Sequence, residues 1–309
     1  MTHVDMTVGS DASQASDTSQ ALQTPQALPV VRKIGFADLT DALREGIADF
    51  RAVPTHAIFL CIVYPVIALV LAQLTLGDLL HLFFPLAAGF ALIGPLAALG
   101  LYELSRRREL GLDLSWTHAF AVRRSASIGG ILALAALLVG IFLIWVVFSQ
   151  AIYTATFGYA PAGTIPDFLH RLFTTPEGWT LIVVGNGVGF LFALVVLMIS
   201  VVSFPLLLDR DIGLLAAIQT SVKVVLTNPV TMAMWGLIVA GLLLIGSLPL
   251  FLGLVVVVPV LGHSTWHLYR KVVEPDPNPR AEQPVAPPKR RRYAAQFPAS
   301  LIAGEEPPA

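Results

Sequence analysis

The stretch FPLLLDRDIGLLAAIQTSVKVVLTNP, Phe204–Pro229, decides how this chain is built. It opens as the end of a long apolar run and then meets three alternating charges, Asp209, Arg210 and Asp211. After them Leu215, Ile218, Val222, Val225 and Leu226 recur at three- and four-residue steps, with Gln219, Thr220 and Lys223 between them. That spacing predicts an amphipathic helix, too polar to cross a bilayer and apolar enough to lie in its interface. The triplet therefore reads as the stop of one membrane crossing and the start of a surface helix. Asp209 or Asp211 is placed to accept backbone N–H bonds at that start and to complement the helix dipole. Arg210 is placed to meet a lipid phosphate or to pair with a neighbouring Asp.

Outward from that point the chain is oily. Of its 309 residues 56% are hydrophobic and 13% charged, against about 25% charged in soluble domains, and the mean hydropathy is +0.76. A net charge of -1 gives no basis for a nucleic-acid partner. The single cysteine, Cys61, excludes an intrachain disulfide and a CxxC zinc site. Residues 1–30 are polar and lack the basic start and short apolar core of a secretory signal.

A bilayer core about 30 Å thick takes about 20 helical residues. Ala57–Leu76, Leu82–Tyr102 and Ile128–Phe148 meet that requirement. Trp179–Leu208 is longer and reads as one tilted helix reaching past the interface near Pro205. Val230–Gly262 is too long for one crossing, and GSLP (Gly246–Pro249) near its middle is turn chemistry. Two spans fit it, and the total is six.

The basic residues test this count. With both termini cytoplasmic, 18 of the 19 Lys and Arg fall on the cytoplasmic side and only Arg171 on the other. Basic residues favour cytoplasmic loops, so the asymmetry supports six spans. Five spans would put Lys289–Arg292 outside.

The surface-helix pattern occurs twice. Asp38–Pro54 (DLTDALREGIADFRAVP) carries Leu39, Leu43, Ile47, Phe50 and Val53 on one face. Ala42, Gly46 and Pro54 match Ala217, Ser221 and Pro229 at a constant offset of 175. A weaker copy begins at Ser115 (SWTHAFAVRRSAS). The predicted fold is all-α and polytopic: six transmembrane helices in three hairpins, each preceded by an interfacial amphipathic helix. The units are 36–105, 113–208 and 211–271, inside a membrane domain of residues 33–272. Residues 1–32 and 273–309 read as disordered tails, the second Pro-rich and basic.

The strip FPLLLDRDIGLLAAIQTS ending in TNP, together with the six-span layout, resembles the bacterial integral membrane family catalogued as domain of unknown function 2189. The resemblance extends over roughly Lys33–Lys271. It implies a bacterial cytoplasmic (inner) membrane location and supplies no activity. Some relatives carry a name linking them to cytochrome oxidase subunit one. That chemistry needs histidines deep in the helices, and none of the seven here lies near the middle of a span.

The remaining chemistry is sparse. His263 and His267, four apart, share a helix face, but GHSTWHLYRK marks a helix end, where histidines meet the last carbonyls more readily than a metal. Arg106–Arg108 with Arg123 and Arg124 reads as an anchor for anionic headgroups, with a substrate phosphate as the sharper alternative. Asn186, among Gly185, Gly187 and Gly189, suits close helix packing or the wall of a polar cavity. PDFLHRLF (Pro166–Phe173) predicts a short surface helix in the outer loop. No cofactor, metal ligand set or nucleophile constellation emerges. The expectation is a non-enzymatic membrane scaffold or accessory protein, with membrane lipids as the first partners and a membrane protein as the second. The alternative is a transporter or channel for a small or lipid-like solute.

Overall fold

The computed structural model describes residues 28–53, 94–115, 127–159 and 163–276, with Ser125 and isolated positions between 66 and 87. Besides the single turn Gly94–Ala97, nine helices organise these segments. They are α1 (Phe36–Ala52), α2 (Leu99–Glu109), α3 (Ile128–Phe157), α4 (Ile165–Thr174), α5 (Pro176–Ser200), α6 (Ser203–Asp209), α7 (Leu214–Thr227), α8 (Pro229–Ser247) and α9 (Leu254–Val272). Among the described residues extended structure is limited to one isolated bridge, Val31 to Val273. Span Ala57–Leu76 falls mainly outside the described residues, as do Pro54, residues 84 and 88–93 of the span Leu82–Tyr102, and most of the weaker copy after Ser115.

Among the described residues, three stretches are long and apolar enough to cross a membrane: α3, α5 continued through α6 (Pro176–Asp209), and α8. The middle one breaks at Val201–Val202, where the Val202 backbone leaves helical geometry. Pro205 follows in the first turn of α6, where a missing N–H is tolerated. One crossing with a break replaces the tilted helix expected there. The turn expected at GSLP lies at Ser247–Gly253, with Leu250 and Phe251 at positive φ (51° and 65°). A Cβ on Gly253 would lie 2.7 Å from the Gly246 carbonyl oxygen, so only glycine lets the ends of α8 and α9 meet so closely. α9 is apolar only to Gly262. Its second half holds His263, Ser264, Trp266 and Tyr269, all buried inside protein.

One end of the bundle gathers the polar groups. Ser127, at the start of α3, donates to the carbonyl of Arg210, at the end of α6 (3.1 Å). Thr231, at the start of α8, donates to the carbonyl of Ile34 (3.1 Å). Arg32 N–H donates to Val272 (2.8 Å), at the end of α9, and Glu274 N–H to Val30 (3.0 Å). Residues 28–32 and 273–276, expected to belong to disordered tails, are therefore ordered: each supplies the backbone partners that the other requires. Residues 1–27 and 277–309 lie outside the described residues.

The two amphipathic helices form where expected, but the faces they bury differ from expectation. α1 buries Leu39, Ala42, Gly46 and Asp49, while Ile47 is exposed and Leu43, Phe50 and Val53 are only half-buried. α7 buries Ala217, Thr220, Ser221, Val224 and Val225, leaving Leu215 and Leu226 outward. Close packing explains the shift. α1 docks on α9 and α7 on α5 and α6, and small residues allow the nearest approach. A Cβ on Gly46 would come within 2.6 Å of Ser264 N and 2.8 Å of its Cα.

Candidate functional site

Asp49 sits in the last turn of α1, on the face that Ala42 and Gly46 press against α9. Its register carries it inside, to 4% exposure. A carboxylate so placed needs compensation, and two helices supply it. Ser105 of α2 donates to Oδ2 (2.5 Å), and Arg108 of α2 pairs with Oδ1. His267 of α9 places Nε2 2.8 Å from Oδ2. Burial alone would raise the Asp49 carboxyl. The hydrogen bonds from His267 and Ser105 and the charges of His267 and His263 override it, holding the group below its ordinary 3.8.

Proton positions follow from this pairing. Ser105 has one hydroxyl proton, and the ionised Asp49 takes it. His263 Nδ1, 2.8 Å from the same hydroxyl oxygen, must then be the donor to it. His263, past the apolar half of α9, is kept neutral by burial, which pushes it down to about 4 against the opposing charge of Asp49. His267 differs: Nε2 faces Asp49 and Nδ1 faces Glu45 Oε2 at 3.1 Å. Only a ring protonated on both nitrogens satisfies both carboxylates. Lys271 Nζ lies 3.6 Å from the other Glu45 oxygen.

Serine, histidine and aspartate within hydrogen-bond reach invite a hydrolase reading, but their order opposes it. A nucleophilic serine gives its proton to histidine, whereas Ser105 gives its proton to the carboxylate and is 1% exposed. The carboxylate is also taken up by Arg108 and His267, and among the described residues no three His, Cys, Asp or Glu are arranged to hold a metal ion. What this cluster does chemically is fasten α1 to α2 and α9.

A second network joins α2, α6 and α9. Glu109 accepts from Trp266 Nε1 (3.0 Å) and Arg270 Nε (2.9 Å). Arg270 also reaches Asp209, 3.5 Å away, and Asp209 accepts from the Tyr269 hydroxyl (2.6 Å). Burial and the neighbouring Asp209 raise the Tyr269 phenol, which stays a donor. The triplet therefore acts differently from the sequence expectation. The helix does end at Asp209, but the N-cap of α7 is Gly213 and carries no side-chain cap bond. Asp209 is directed to α9, Arg210 donates to the Glu274 carbonyl, and Asp211 Oδ1 accepts from Ser127 (3.4 Å). An extended link, Arg210–Gly213, carries both carboxylates away from the α7 amides.

The other expected positions disperse. Asn186 is exposed on α5 and donates to its own helix at Ile182 O (2.8 Å), bridging no helix contact among the described residues. The close approach in that region is Gly189 against Trp145, where a Cβ would lie 3.1 Å from the ring. Pro229 is the first residue of α8. Beside it Asn228, which the sequence reading passed over, accepts from Ile34 N–H (2.9 Å) and donates to Arg32 O (3.0 Å). Arg106 and Arg107 pair with Glu103 and Arg108 pairs with Asp49, so these guanidinium groups are engaged within the protein. The outer-loop helix forms as α4, capped by Thr164, which accepts from Asp167 N–H at 3.3 Å.

Half of the Asp49 cluster's signal went unread: Glu45 and Asp49 are four apart on one face, the same spacing as the His263 and His267 pair.

Residues 83–209 match the model of the family described as predicted integral membrane protein, domain of unknown function 2189. The match includes FPLLLD and ends at Asp209, short of α7 and of the Lys33–Lys271 extent expected. No curated protein and no solved structure matches the chain. With the apolar helices α3, α5–α6 and α8, the chain is an integral membrane protein.

Proposed function

We propose that this protein is a non-enzymatic scaffold or accessory protein of the bacterial cytoplasmic membrane, with six spans in three hairpins and both termini cytoplasmic. The observation that carries the reading is where the ionisable groups go. Asp49, Arg108, His267, Glu109, Arg270 and Asp209 link α1, α2, α6 and α9 to one another. Such a network holds a surface in one shape, which suits a docking platform better than a path through the bilayer. The topology draws support from the shared end of the bundle. The starts of α3 and α8 and the ends of α6 and α9 meet there, which fits paired antiparallel crossings, and the basic residues assign that end to the cytoplasm.

Membrane lipids are the first partners in this reading. Anionic headgroups would meet Arg123, Arg124 and Lys289–Arg292. A membrane protein is the second. Co-purification in mild detergent, with bound lipids, solutes and proteins identified together, is the test. A stoichiometric membrane-protein partner supports the scaffold. A retained small solute with no protein partner overturns it in favour of a transporter.

A further inference from the structure

α1 is held at its two ends by different physics. Its N-terminal end follows residues 30–34, which are fixed by backbone pairing with 272–274 and by the Asn228 amide. Gly35 joins this strap to the helix, with extended backbone and open space where a side chain would stand. None of those bonds involves a group that titrates near neutral pH. The far end is held by ionised side chains: Asp49 by Ser105 and Arg108, and Asp49 with Glu45 by the two nitrogens of His267. Between them Gly46 lies against the Ser264 backbone, a contact that packs well only when the helices are fully closed.

We propose that α1 is a proton-operated latch, hinged at Gly35 and closed by protonated His267 bridging Glu45 and Asp49. The groups that face this bridge are Glu45 and Asp49 on α1, Ser105 and Arg108 on α2, and His263 and Lys271 on α9. Loss of the His267 proton puts a bare nitrogen lone pair against one carboxylate, so attraction becomes repulsion at this bridge across the α1–α9 seam. Arg108 still holds Asp49, so α1 loosens without leaving the protein. Opening uncovers Leu39, Ala42 and the Ser264 face of α9 and makes that cytoplasmic surface conditional on local pH.

The control is built into the chain. α7 ends in the same way as α1 but places Val224 where α1 places Asp49, so its closure has no such proton. Deuterium uptake of the α1 peptide, divided by that of the α7 peptide in the same full-length sample, cancels the intrinsic pH dependence of exchange. Between about pH 6 and about pH 8.5 the ratio should rise about tenfold in the parent. His267→Arg, charged throughout, should stay closed and flat. His267→Gln, neutral throughout, should be open and flat. A flat parent ratio overturns the proposal. So does a slope that persists in His267→Arg, and this variant decides alone if His267→Gln does not accumulate.

Discussion

α1 and α7 share a skeleton and differ in what they bury. Their last residues, Val53 and Asn228, adopt nearly the same conformation, φ -135°, ψ 50° and φ -129°, ψ 52°, and a proline follows each in the sequence. The buried positions also correspond at the offset of 175: Ala42 with Ala217, Gly46 with Ser221, Asp49 with Val224. On α7 that face meets apolar side chains and Ser203, which donates to Ala217 O at 3.1 Å. On α1 the last position is a carboxylate held by an arginine and a histidine. Small residues set how closely each helix docks. The final buried side chain decides whether docking depends on pH.

Exchanging that side chain should have the largest effect. Val224→Asp puts a carboxylate at a fully buried site (0% exposed) within the hydrophobic core, costing about 3–5 kcal/mol. Little folded protein should accumulate. A variant that melts in detergent like the parent would mean that the two sites are interchangeable.

Asp49→Asn keeps the shape and removes the charge, and should cost about 1.5–3 kcal/mol at neutral pH. The Asp49 carboxyl is lowered from 3.8 in the folded protein, so its contribution is complete above the unfolded value and is lost as pH falls through the folded one. The gap between parent and variant should therefore close below about pH 4. A constant gap down to acid would show that the loss is steric.

Docking distance comes next. Gly46→Ser gives α1 the residue α7 has, yet should cost about 1–3 kcal/mol because the clash is with backbone. Ser221→Gly, the reverse change on α7, should cost about 0.5–1 kcal/mol. Equal effects would remove the difference in helix approach that the comparison rests on.

The smallest effect concerns the triplet. Asp209→Asn weakens the contacts to Tyr269 and Arg270 and should lower the melting free energy by about 0.5–1.5 kcal/mol. Deuterium exchange in the first turn of α7 should not change. Fraying there would restore the capping role that Gly213 fills in the structure.

Much of this was legible in advance, and the limits have physical causes. Apolar runs and the helical period depend on local composition, so α1, α3, α4, α5, α7, α8 and α9 could be placed from residues alone. The same holds for the turn near Gly246 and the end of a helix at Asp209. Which face of an amphipathic helix turns inward is not local. Leu43 and Ile47 outrank Gly46 in hydrophobicity, but Gly46 is buried because Ser264, 218 positions away, needs the space. The capping role failed for a similar reason: Asp209 had nearby amides in sequence, and Tyr269 and Arg270 offered stronger partners in space. Sequence by itself determined that the chain is helical and belongs in a membrane, because these follow from transfer energies counted along the chain. Only the tertiary structure decided that Asp49, Ser105, Arg108, His263 and His267 form one site, because electrostatic pairing depends on distances that folding alone sets.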